Sequence, residues 1–316
     1  GRQRSPVELV AHLVRAAVVE VEARYGAVVG AVVAVPVELG ALERRVMRDA
    51  VLAAGVPAVR LLAAPAAAAL AVADDRPARL LVIDVGTATV RAAVVEHVEG
   101  VIDVLAHARA AVGPGAVADA CARALAAATV TVDGLSDAIV IGGGGLDAGL
   151  VQRALVGFPN AARAVEHPES ALARGAAAAA RMYLAEPAAV CVDVIEPGFS
   201  LGAGSALTPM ILAGAIAPTR EVRLIARDRP DRAALDLELW EDTVPPRPYG
   251  RYRVAGLPLG TGAIAACEVT IDVDRIPRIE ASDLVNGGAL DVTAVVEVGL
   301  GPDDLAALRA VVTRST

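Results

Sequence analysis

In the run "LLVIDVGTATVRAAVVE", residues 80–96, an apolar stretch ends in Asp84, passes through a small turn and resumes as a second apolar stretch. This pattern predicts a strand, a tight turn and a returning strand. A carboxylate at the end of a buried strand can order a metal ion or a water, and the small residues Gly86, Thr87 and Thr89 would let backbone N–H groups approach an anion. A second turn of this kind, Gly142–Gly145 in "IVIGGGG", follows another apolar run and leads into a helical pattern. Two readings stand for each turn. Asp84 is either a metal-side acid or a strand-end residue that satisfies backbone donors. Gly142, Gly143 and Gly144 either cradle a nucleotide or allow close packing. His12 and His167 have no nucleophile near them in sequence, which argues against triad chemistry.

The elements that must hold these residues alternate in period. Ser5, Pro6 and Glu8 predict a capped helix with an apolar stripe from Leu9 to Val21, ended by Gly26. Residues 28–35 predict a strand covered on both faces and stopped by Pro36, and 42–54 a helix stopped by Gly55. A short strand at 59–62 and an alanine-rich helix after Pro65 precede the opening hairpin. Beyond it come a third strand at 101–107, a helix at 115–128, the strand and Gly-rich turn from 137, and a Pro-initiated helix after His167 with Gly175 at a close-packing point. After residue 194 the helical period gives way to alternating runs such as "LDLELW" and "CEVTIDV" between Pro and Gly clusters, the pattern of a β-sandwich. Residues 302–314 turn helical again.

Composition narrows the class. A chain of 316 residues suggests two domains, and at 55% hydrophobic but 2% aromatic its packing must rely on small side chains. The net charge of −8 is spread without a basic block, which argues against nucleic acid as a partner. No apolar stretch is long enough for a membrane helix. Cys121, Cys191 and Cys267 lie far apart, so neither a disulfide framework nor a metal site is expected, and a reducing cytoplasm fits. The chain opens on Gly1 with no signal peptide, and an upstream piece is expected to be absent from it.

The order of these segments resembles the 70-kDa heat-shock chaperone (DnaK) family. "AVVAVPVELGALERRVMRDAVLAAGVPAVRLLAAPAAAALA" is similar to the family's stretch from a Val-Pro strand end to Asn-Glu-Pro-Thr-Ala-Ala-Ala-Leu. "VIDVGTATV" resembles its Asp-Leu-Gly-Gly-Gly-Thr-Phe phosphate turn, "IVIGGGG" its Val-Gly-Gly adenosine turn, and "HPESALARGAAAAA" its Asn-Pro-Asp-Glu-Ala-Val-Ala helix. "VCVDV" resembles the interdomain linker, and "LTPMI", "APTR" and "VTIDVD" the peptide-binding β-sandwich. The resemblance implies an actin-like (ribonuclease H-like) α/β ATPase remnant over residues 1–186, a hydrophobic linker at 187–194, a β-sandwich substrate domain at 195–300 and the start of a C-terminal helix at 301–316. It also places Leu201, Ala203, Leu235 and Leu237 at groove-lining positions, with Leu235 at the central pocket.

Departures from the family pattern fall on the catalytic set. The family's front lobe, with a first Asp-x-Gly-Thr loop and a catalytic lysine, has no counterpart here. Its Asn-Glu-Pro glutamate corresponds to Ala64, its closing acid to Arg91, and the arginine that packs on the base to Leu146. Asp84 is the one catalytic carboxylate that survives, with Gly86, Thr87, Thr89 and Gly142–Gly144 left as nucleotide-contacting positions. Weak binding of ATP or ADP with magnesium and negligible turnover are expected, since phosphoryl transfer depends on several charges placed together. The resemblance implies a cytoplasmic, stress-linked chaperone-like protein that binds extended polypeptides, with co-chaperones as further partners. It is ATP-dependent if the native product supplies the front lobe. The alternative is an interaction scaffold with a vestigial actin-like part.

Overall fold

The computed structural model describes residues 5–72, 76–98, 101–142, 162–165, 167–184, 191–203, 206–226, 234–258, 264–296 and 299–314. Contacts divide the chain into two compact units: one takes Val32–Val37 and Leu61–Asp193, the other the residues to Ala31, Glu38–Arg60 and those from Val194 on.

The first unit is α/β. Its sheet runs in the order β8 (Cys191–Val194), β5 (Val101–Ala111), β4 (Thr89–Val98), β3 (Ala78–Val85), β6 (Asp137–Ile141), β7 (Ala162–Ala164). The β3–β4 and β4–β5 pairs are antiparallel, whereas β6 runs parallel to β3 and β7 parallel to β6. Helix α4 (Ala116–Ala128) covers one face, where Ile83, Val90, Val94, Ala120 and Ala124 pack together. On the other face, α3 (Ala64–Val72) and α5 (Ala171–Leu184) cover Val82, Val95 and Ile139. The close-packing role expected of Gly175 is visible here, because a Cβ at that position would lie 1.6 Å from the Ala67 carbonyl oxygen. Helices built from alanine can approach this closely, and the scarcity of aromatics follows from it. Strand β1 (Ala31–Val35) pairs with β2 (Val59–Ala63) in a sheet of two. It is shorter than the 28–35 expected, and four of its five residues are half-buried rather than covered on both faces.

Among the described residues, the second unit contains eight strands in antiparallel pairs, β9 (Phe199–Ala203), β10 (Ala206–Ile211), β12 (Thr219–Ala226), β13 (Ala234–Glu241), β14 (Arg247–Ala255), β15 (Ile264–Ile271), β16 (Pro277–Asp283) and β17 (Asp291–Val296), with the two-residue β11 (Ile216–Ala217) between β10 and β12 in the chain. One sheet has the order β10-β9-β13-β14-β17 and the other β12-β15-β16. Leu201, Leu237, Leu239 and Val254 of the first share one apolar core with Cys267, Val269 and Ile271 of the second. Helices α1 (Pro6–Tyr25), α2 (Ala41–Ala53) and α6 (Pro302–Arg314) meet through Ala11, Ala50, Ala53 and Val312. Helix α1 starts as its sequence predicts, with the Glu8 N–H donating to Ser5 Oγ at 3.2 Å and Gly26 at φ 90° ending it.

This partition differs from a linear boundary at residue 186, since α1 and α2 group with the strands beyond residue 194. Apolar and polar contacts both hold it: Ala41 and Leu42 of α2 pack on the sandwich core, and charged groups bridge the same elements. Arg247 donates to Glu43 of α2 at 2.8 Å and to Glu241 at 2.7 Å, and Glu241 accepts the Ala41 N–H at 2.6 Å. Arg275 donates to the carbonyls of Leu39, at 2.9 Å, and Val194, at 2.7 Å.

Candidate functional site

Asp84 lies near the carboxyl end of β3, directly opposite Arg91 of β4 in the ladder. Their side chains form an ion pair, Arg91 Nη1 to Asp84 Oδ2, at 3.8 Å. The turn between them is closed on itself. The Gly86 N–H donates to the Thr89 carbonyl at 2.9 Å, and a Cβ at Gly86 would stand 3.1 Å from that oxygen. A side chain at this position would crowd the turn, whether or not a phosphate is bound. Thr87 is exposed and Thr89 half-buried, while the Ala88 carbonyl accepts the Val112 N–H at 3.0 Å.

Gly142 follows β6, whose Ile141 is in register with Asp84 on the neighbouring parallel strand. It is buried, with φ 152°, and its N–H points to the Pro168 carbonyl at 3.4 Å. The structure thus brings Asp84, Gly86 and Gly142 to the carboxyl ends of two adjacent parallel strands, where open α/β sheets hold ligands. Gly143 and Gly144 lie outside the described residues, as does Leu146. Ala64, the first residue of α3, brings no carboxylate to the set.

Hydrated magnesium needs carboxylate oxygens that are not already matched to a cation, and a nucleotide phosphate needs N–H groups aimed outward. Here the carboxylate faces a guanidinium and the Gly86 N–H is used inside the turn. Among the described residues, no group of three or more His, Cys, Asp and Glu is placed to hold a metal ion. These residues do not fit a magnesium-nucleotide centre. Of the two cysteines whose side chains are described, burial pushes Cys121 up to about 12 and Cys267 up to about 11, and a thiol so raised is inert.

The four groove candidates converge on one face. Ala203 is in register with Leu237, and Leu201 with Leu239, so all point the same way from their sheet. That face is the sandwich interior: Leu201, Leu235 and Leu237 are at most 4% exposed, and Ala203 is half-buried against the same core. Exposed apolar side chains lie at several other places, a sheet edge among them. Strand β12 ends its sheet, and Val222 (51% exposed) and Leu224 (55%) project from it, with Leu207 (49%) on β10, which ends the other sheet. Arg223 donates to the Pro209 carbonyl at 2.6 Å and links the two edges. Alternation in "TREVRLIA" marks Val222 and Leu224 as sharing a face, but it cannot tell an outer face from an inner one. Sequence reasoning also missed the Glu43–Arg247–Glu241 cluster, in which Glu43 is about 200 residues from the other two in the chain.

Residues 1–113 match the family model described as Hsp70 protein. Chaperone protein dnaK1 of Parasynechococcus marenigrum (strain WH8102) is 40% identical over 108 residues, which cover 33% of this chain and 16% of that protein. The dnaK1 of Prochlorococcus marinus (strain MIT 9313) gives the same identity over the same length and shares. A chaperone protein HscA homolog of Laribacter hongkongensis (strain HLHK9) is 36% identical over 107 residues, 33% of this chain and 17% of that protein. The chain thus spans about a sixth of the length of the curated relatives it matches.

Proposed function

We propose that this chain, an Hsp70-family relative through residues 1–113, is a chaperone-like protein that holds extended polypeptide on its strand-rich unit, with an α/β unit that does not hydrolyse ATP. The observation that carries the reading is the edge at β12, where exposed Val222 and Leu224 adjoin a strand side that neither sheet pairs. An extended chain laid on such an edge gains main-chain hydrogen bonds, and apolar contacts to alternate side chains give it broad selectivity. Asp84 matched to Arg91 supports the second half of the reading, because the surviving acid is engaged by a cation. On this view the chain acts in the cytoplasm on unfolded clients under stress, alongside co-chaperones, and has no nucleic-acid or membrane role. A native product that supplied a front lobe would add an ATP-driven cycle. Among the described residues, no helix is long and apolar enough to cross a membrane.

The burial of Leu201, Leu235 and Leu237 favours a second reading, a scaffold whose sandwich binds no client. Fluorescence anisotropy with a short apolar-basic peptide separates the two. Full-length chain should bind saturably, and Val222→Asp with Leu224→Asp should weaken binding about tenfold or more while the fold is kept. No binding by the wild type, or equal binding by the double variant, would make the scaffold the better account.

A further inference from the structure

A cleft of about 570 Å³ opens in the second unit, between the sheet-end strands β16 and β17, and its size is that of ligand sites in general. Tyr252, Val292 and Ala294 form one wall, on the β14–β17 side. Arg45 and Arg48 of α2 close one end, next to Arg278 at the start of β16, and Glu280 follows two residues along the same strand. Most charges here are already matched. Arg48 pairs with Asp272 at 2.8 Å, the other oxygen of Asp272 accepts the N–H groups of Asp274 and Ile276, and Arg45 lies 3.9 Å from Asp49. Arg278 and Glu280 are exposed, and among the described residues neither has a partner.

We infer that this cleft is a second polypeptide site, built for an extended segment carrying an acidic side chain and, two residues later, a basic one. Three features support this. Both strands that border the cleft end their sheets, and residues 288–290 meet β16 only from Ala281 on, so among the described residues the backbone beside Arg278 and Glu280 is paired on one side alone. Arg278 and Glu280, two apart on one strand, project from the same face, roughly 7 Å from each other, which is the repeat of side chains on an extended ligand. The sign changes between them, and Glu268, directly opposite Glu280 on β15, reinforces the negative end. Like charges directly opposite each other are unfavourable, so a ligand cation between Glu268 and Glu280 would relieve a repulsion that the unit carries alone.

The test is anisotropy with full-length chain and labelled acetyl-Val-Glu-Val-Lys-Val, with acetyl-Val-Lys-Val-Lys-Val as its charge-changed partner. Wild type should bind the first about tenfold more tightly than the second, and salt should weaken that preference. Arg278→Glu should reverse the order, a result that loss of folding cannot imitate. Leu224→Asp, opposite Ala266 rather than Glu268, should keep the preference for the first peptide over the second even where it weakens both, so failure here is distinguishable from failure of the β12 edge. The inference is overturned if wild type shows no preference, if Arg278→Glu weakens both peptides alike, or if free glutarate at millimolar level displaces the peptide fully and marks a small-anion pocket.

Discussion

Arg91 decides what Asp84 can do. In a phosphoryl-transfer centre the carboxylate orders metal and water, and removing one preorganised group typically costs about a hundredfold or more in rate. Here Arg91 pairs with Asp84 across the ladder, and Ala64 brings no further carboxylate. Phosphate release from magnesium-ATP by this chain should therefore be negligible, and Asp84→Ala should leave it unchanged. A malachite-green time course checks this, and turnover that Asp84→Ala abolishes would contradict it. The sequence revealed the strand-end place of Asp84 and the tight packing at Gly175, because both follow from local residue types. It did not reveal the Asp84–Arg91 pair or the inward Gly86 N–H, since ladder register and turn closure depend on which residues the fold sets opposite.

At the scale of elements, α2 shows how a helix from the first sixty residues comes to belong with strands far along the chain. Gly40 at its N-cap has no side chain to offer, and the Ala41 N–H donates instead to the fully buried Glu241. That satisfies one of the donors a helix start leaves open. Arg247 bridges Glu241 and Glu43, and its hydrogen bonds hold the Glu43 carboxyl below its ordinary value of 4.5. A depressed carboxylate contributes stability that is present above the unfolded value and lost as pH falls through the lower folded one. Arg247→Met should cost about 2 kcal/mol near neutral pH. The gap from wild type should narrow as pH drops below 4.5, because protonated Glu43 no longer gains from the arginine. Urea melts at several pH values measure this, and a gap independent of pH would remove Glu43 from the account. Apolar period predicted α2 and the alternating strands to within a few residues. Their grouping was not legible, because it rests on contacts, the charged Glu43–Arg247–Glu241 set and the packing of Ala41 and Leu42 on the sandwich core, between residues separated by long stretches of sequence.

For the whole molecule, the two units divide the family resemblance between them. The similarity found by comparison lies in residues 1–113, whereas the strand-rich unit draws most of its residues from beyond Val194. The expected linker at 187–194 is described only from Cys191, where it forms β8, parallel to β5. If the α/β unit neither cleaves nucleotide nor relays its presence, polypeptide affinity belongs to the second unit alone. Were nucleotide to bind one state of the chain preferentially, it would change that affinity, because a ligand that prefers one state shifts the other site in proportion. The most direct test is the affinity of the full-length chain for an apolar-basic peptide, measured by anisotropy with and without magnesium-ATP. The account predicts saturable binding with a Kd on the order of ten micromolar that ATP leaves unchanged. Absence of binding, or an affinity that ATP moves severalfold, would contradict it.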